Sequence, residues 1–114
     1  MSGGINTIIF PVRDLAAAKK VYTELVGAEP YTDNPYYVGY RIGGQEIGLD
    51  PNGHKTGMTG PIGYWDVEDI KGTIAALLDR GAETLREPRD VGGGKLIATI
   101  KDADGNVIGL AQSP

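Results

Sequence analysis

Few side chains in this chain can do chemistry. There is one histidine, His54, and no cysteine, so thiolate chemistry is absent and a facial triad of two histidines and a carboxylate cannot be assembled within one chain. His54 lies in a Gly-rich connector and reads as an exposed loop residue. Oxygen chemistry remains. Glu46, Asp50 and Asp66 fall on stretches with strand character, with Arg41 and Tyr64 nearby in sequence. Unpaired carboxylates facing a partly apolar cavity have raised pKa values, which suits abstraction of a proton beside a carbonyl. The same side chains also suit a binding pocket, which uses a few convergent polar groups on an apolar wall. Tyr36, Tyr37 and Tyr40 share a strand with Arg41 and can pack against a planar ligand. Alternation puts Tyr37, Gly39 and Arg41 on one face and Tyr36, Val38, Tyr40 and Ile42 on the other. Spacing alone leaves open which face meets a ligand.

Two other motifs fail their own tests. Asp102-Ala103-Asp104-Gly105-Asn106 resembles an oxygen-rich calcium loop, but its sixth and twelfth positions are Val107 and Ser113, where an EF-hand needs glycine and a bidentate acid. Asp-Gly-Asn is ordinary turn chemistry. Gly92-Gly93-Gly94 precedes a strand and lacks a following Lys-Thr or Lys-Ser pair, so it reads as a loop and not as a phosphate cradle.

The elements that must position these residues come as a repeat. Phe10, Val12 and Asp14 recur as Trp65, Val67 and Asp69, each 55 positions later, and Ile47-Gly48-Leu49 recurs as Ile108-Gly109-Leu110. In each half an apolar β-type run ends at an aspartate suited to N-capping, Asp14 or Asp69. A helical stripe follows: Leu15, Ala18, Val21, Tyr22, Leu25 and Val26 in the first half, and Ile70, Ile74, Leu77 and Leu78 in the second. Gly27 and Gly81 stand where left-handed C-caps are expected. Turn signals at Asp33-Asn34-Pro35, Gly43-Gly44, Pro88, Gly92–Gly94 and Asp104–Asn106 then separate short strands. The pattern is strand, helix, three strands, twice over. It spans one domain, with units at 1–52 and 60–114 and the stretch Pro51 to Gly60 between them.

On Val12-Arg13-Asp14-Leu15, Val67-Glu68-Asp69-Ile70, the turn Asp102–Asn106 and the tandem order, the chain resembles the glyoxalase, bleomycin-resistance and extradiol dioxygenase (vicinal oxygen chelate) superfamily. Alanine stands at 103 where that family usually has proline. The resemblance implies an α+β fold of two tandem βαβββ units forming curved mixed sheets around a cavity. With that architecture, strand alternation puts Ile8, Phe10 and Val12, and Trp65 and Val67, under the helices. Ile47, Leu49, Ile108 and Leu110 join them in the core. The cavity set is then Thr7, Ile9, Tyr37, Arg41, Glu46, Asp50, Ile62, Tyr64, Asp66 and Gly109. The family's metal positions, usually His or Glu, carry over to Thr7, Gly48, Ile62 and Gly109, which hold no good donor for a divalent transition metal. The implied state is metal-free and without a cofactor.

Composition bounds the partners. A formal net charge of −4 with scattered Lys and Arg argues against nucleic acid. No stretch approaches a membrane span, and the N-terminus lacks a signal-peptide pattern, so a cytoplasmic location is expected. A homodimer is implied by resemblance alone. Three functions stay open: a metal-free binding protein holding a planar or cationic organic ligand, an acid–base enzyme using Glu46, Asp50, Asp66 or Tyr64, and a metal-dependent lyase, isomerase or dioxygenase.

Overall fold

The structure, a computed structural model, describes residues 2–114. It is α+β, and among the described residues there are two helices and eight strands. By its contacts the chain divides into two units. One is Asn6–Ile62; the other is Gly63–Pro114 together with the start of the first strand, through Ile5.

In the Asn6–Ile62 unit, β1 (Ser2–Pro11) leads to α1 (Leu15–Val26), followed by β2 (Thr32–Asn34), β3 (Tyr37–Ile42) and β4 (Gln45–Asp50). The strand order is β2-β3-β4-β1, with β1 parallel to β4 and the other pairs antiparallel. Asp14 caps α1 by accepting from the Ala17 amide at 3.0 Å. Gly27 ends the helix in the left-handed region, φ 80°, a conformation that side chains with a Cβ rarely adopt. Val38, Tyr40 and Leu49 are buried beneath the helix, with Phe10, Val12, Leu15, Ala18, Tyr22, Val26 and Ile47 packed around them. Phe10 meets Tyr22 with ring centroids 5.2 Å apart. The Tyr40 hydroxyl lies 2.8 Å from the Thr23 hydroxyl and donates to the Lys19 carbonyl at 3.3 Å, tying β3 to the helix.

In the second unit the order is β5 (Ile62–Val67), α2 (Ile70–Leu78), β6 (Glu83–Asp90), β7 (Leu96–Lys101) and β8 (Val107–Gln112). Its strands lie β5-β8-β7-β6, with β5 parallel to β8. Asp69 caps α2 from the Gly72 amide, and the Gln112 side chain accepts from the Ile70 amide at 2.7 Å. Val67, Ile70, Ile74, Ala98, Ile100 and Leu110 form the core, with Ile108 packed against it.

Five expectations need correction. The helical stripes are narrower than expected: Leu15, Ala18, Tyr22 and Val26 pack on the core, whereas Val21 and Leu25 of α1 and Leu78 of α2 are exposed. Trp65 shares a register position with the buried Leu110, yet it remains 39% exposed and joins neither core. Its repeat partner Phe10 is covered by the ring of Tyr22; 55 positions on, α2 offers only Leu77 there. Gly81 does have positive φ, but α2 ends earlier, at Leu78 with Asp79 as its C-cap, and Arg80 and Gly81 tighten the turn with bonds to the Leu77 and Leu78 carbonyls. Pro88 is inside the edge strand β6, at a register shift between Arg86 and Arg89, where a missing amide is tolerated. His54 begins a short 3₁₀ turn, His54–Thr56, and is half-buried, with a buried Nδ1 that has no hydrogen-bond partner among the described residues.

Candidate functional site

The register of β1, β4 and β3 settles which residues share the face away from α1. Thr7 pairs with Glu46 and Glu46 with Arg41; Ile9 pairs with Gly48 and Gly48 with Gly39. Because Val38 and Tyr40 are in the core, alternation turns Tyr37, Gly39 and Arg41 to the opposite face. Pro11 and Asp50 pair at the end of the same ladder.

On that face four side chains converge. Tyr37 donates its hydroxyl proton to Glu46 Oε2 at 2.5 Å, a charge-assisted bond. The other Glu46 oxygen, Oε1, lies 3.8 Å from Arg41 Nε. The Arg41 guanidinium stacks on the Tyr31 ring, 3.9 Å from its centroid. Glu46 is largely enclosed, 20% exposed in its side chain, whereas Arg41 is 69% exposed. Burial first, and then the neighbouring Glu46 carboxylate, push the Tyr37 phenol well above its ordinary range. The same two causes raise Tyr31, and Arg41 partly opposes them. Both phenols therefore keep their protons and act as donors at neutral pH.

Two glycines make this arrangement possible. A Cβ on Gly48 would stand 2.6 Å from both Tyr37 Cε1 and Ile9 Cδ1, and one on Gly39 would meet Tyr37 Cε2 at 2.8 Å and Tyr31 Cε1 at 2.9 Å. The Tyr37 ring thus lies against both glycines and the Tyr31 ring against Gly39, and together they form an aromatic floor beside Glu46 and Arg41. Tyr31 was not singled out in the sequence. It follows Pro30 outside any strand, held by its amide to the Gly39 carbonyl at 2.9 Å, and its proximity to Arg41 arises only from the β2–β3 pairing.

The remaining residues of the expected cavity set are distributed otherwise. Asp50 shares the ladder, but its Oδ1 accepts from the Asn52 amide at 2.8 Å and serves the turn that follows β4. Ile62 is buried at the start of β5. In the second unit Tyr64 pairs with Gly109 and Asp66 with Ala111; Thr99, which is buried, also pairs with Gly109. The Tyr64 ring lies over Gly109, where a Cβ would be 2.6 Å from its Cδ2. Gly48 and Gly109, repeat partners 61 positions apart, are each covered by a tyrosine ring.

The metal positions implied by resemblance do not fit a divalent transition metal. Gly48 and Gly109 have no side-chain donor and sit under aromatic carbon, and Ile62 is apolar. Among the described residues no three His, Cys, Asp or Glu side chains gather to hold an ion. Thr7 has Glu46 across the ladder, and both Glu46 oxygens already face protein donors.

Solved structures share this fold. Methylmalonyl-CoA epimerase from Mycobacterium tuberculosis superposes with a TM-score of 0.77 at 18% identity, covering 99% of this chain and 90% of that one. A glyoxalase/bleomycin resistance protein/dioxygenase superfamily member from Vibrio splendidus 12B01 gives 0.72 at 14% identity, covering 99% and 100%. NAD-dependent benzaldehyde dehydrogenase from Legionella pneumophila gives 0.75 at 15% identity, covering 95% and 98%. No curated protein matches the sequence. Identities this low establish shared architecture and leave activity open. A family model, however, matches residues 4–110, nearly the whole chain, and by that match the protein belongs to the Glyoxalase/Bleomycin resistance protein/Dioxygenase superfamily.

Proposed function

We propose that this protein binds a small organic molecule, without a metal, on the helix-free face of the Asn6–Ile62 unit, and that the planar part of the ligand rests on the Tyr37 ring, beside the Arg41 guanidinium that covers Tyr31. One observation carries the reading: the Tyr37 ring lies against Gly39 and Gly48, next to a hydrogen-bonded Glu46 and to an exposed Arg41 held over the Tyr31 ring. A ring over a strand glycine can serve the sheet alone; the enclosed Glu46 and the exposed Arg41 beside Tyr37 are what add a binding role. Aromatic faces supply contact area at low entropic cost, and the polar groups beside them fix orientation. The fold is compatible with such a role, since one structure similar to this chain is methylmalonyl-CoA epimerase holding methylmalonyl-CoA.

The test is titration calorimetry and thermal shift against a panel of aromatic compounds, planar antibiotics included. Saturable binding by at least one member, weakened at least tenfold in Tyr37→Ala, is the expected result. A panel without heat or thermal shift contradicts the proposal, as does binding that Tyr37→Ala leaves intact.

A further inference from the structure

The geometry points to a planar carboxylic acid as the class of ligand this site takes, with Arg41 as the residue that selects it; this inference rests on the binding role proposed above. Guanidinium is a planar fork with five N–H donors on two usable edges. Here Tyr31 holds the guanidinium in place, with Arg41 Cζ 3.9 Å from the ring centroid. Glu46 draws one side of it, with Oε1 at 3.8 Å from Nε as an ion pair. The ion pair turns the Nε side toward Glu46, and an arginine that is 69% exposed has terminal N–H groups to offer solvent or a ligand. A carboxylate matches that edge with two parallel N–H···O bonds. If its acid is conjugated to a ring, carboxylate and ring share one plane.

Glu46 gives the site a second criterion. Its carboxylate stands beside the same guanidinium, and the Tyr37 hydroxyl donates to it from the other side. A monoanion next to this pair meets a nearly balanced field. Glu46 offsets much of the attraction of Arg41, so a carboxylate gains from its two-point fit and not from net charge, and the second charge of a phosphate ester meets Glu46 without a further donor edge to match it. A neutral amide of the same shape loses the charge assistance.

Benzoate, benzamide and phenyl phosphate separate these outcomes in calorimetric or NMR titrations at pH 7.5. Benzoate should bind at least tenfold more tightly than benzamide and more tightly than phenyl phosphate. Arg41→Gln should abolish the preference over benzamide without lowering the melting temperature, since Arg41 is exposed. Glu46→Gln should improve phenyl phosphate relative to benzoate. Equal binding of benzoate and benzamide, with both dependent on Tyr37, overturns the acid preference and leaves the aromatic floor standing. A preference for phenyl phosphate in the unaltered protein also overturns it. If no aromatic probe of any charge binds, both this inference and the binding role fall.

Discussion

Replacing Gly48 by alanine probes the site through one added methyl group. Gly48 does not occupy the left-handed region, so the backbone accepts alanine and the effect is steric. The new Cβ would lie 2.6 Å from Tyr37 Cε1 and from Ile9 Cδ1, closer than carbon atoms approach without something shifting. Overpacking of this kind costs about 1–3 kcal/mol. If the ring lifts, the bond from Tyr37 to Glu46 is lost as well, and hydrogen bonds to charged groups contribute about 1.5–3 kcal/mol. Against this, alanine lowers the entropy of the unfolded chain by about 0.4–1 kcal/mol. The net expectation is a destabilisation of about 2–4 kcal/mol, built from those same contributions. Gly60→Ala is the control: nothing lies within 4 Å of its Cβ and its φ is ordinary, so it should be neutral or slightly stabilising. Urea unfolding followed by circular dichroism measures both. Coupling gives the decisive comparison, because Tyr37→Ala removes one of the two clashing groups, and the double variant should be less destabilised than the sum by at least about 1 kcal/mol. If Gly48→Ala is as mild as Gly60→Ala, or if the two changes add, the ring does not rest on Gly48 and the reasoning fails.

Other outcomes follow from the same contacts. Asp14→Ala and Asp69→Ala each remove a side-chain acceptor from a helix N-terminus and should each cost about 1 kcal/mol in urea unfolding. Tyr40→Phe keeps the buried ring but deletes the link to Thr23 and Lys19, for a loss of about 1 kcal/mol by the same measurement. Alkaline pH should destabilise the protein through Tyr37. Its folded pKa is raised above the ordinary 10.0, so the unfolded chain releases a proton that the folded chain keeps. The contribution is whole below that pH and declines as pH rises past it; urea midpoints at pH 9 and pH 11 should therefore differ less in Tyr37→Phe.

The sequence made most of the scaffold legible because its signals are local. Two aspartates placed before apolar stripes, and a period-2 alternation in Phe10-Val12 and Ile47-Leu49, specify caps and buried faces with no knowledge of partners. What depends on two strands meeting was harder to see. The face of β3 became definite only through its pairing with β4, which sets Gly39 opposite Gly48 and Arg41 opposite Glu46. Tyr31 lies outside any strand, and its role comes from a tertiary contact with Arg41. Gly39 reads as an ordinary strand glycine, and Gly48 as a metal position without a donor, until the ring lying over them is known. Trp65 failed for a related reason: the repeat transmits strand phase faithfully, but the cover over a position depends on side-chain size in the facing helix.

Amide chemical-shift mapping with benzoate, on uniformly ¹⁵N-labelled protein, tests most directly whether the floor beside Glu46 is where ligand sits. The account predicts that the largest shifts fall on Gly39, Arg41, Glu46 and Gly48 and disappear in Tyr37→Ala. Shifts centred instead on the α1 side of the sheet, or on the Gly92–Gly94 turn, would contradict it.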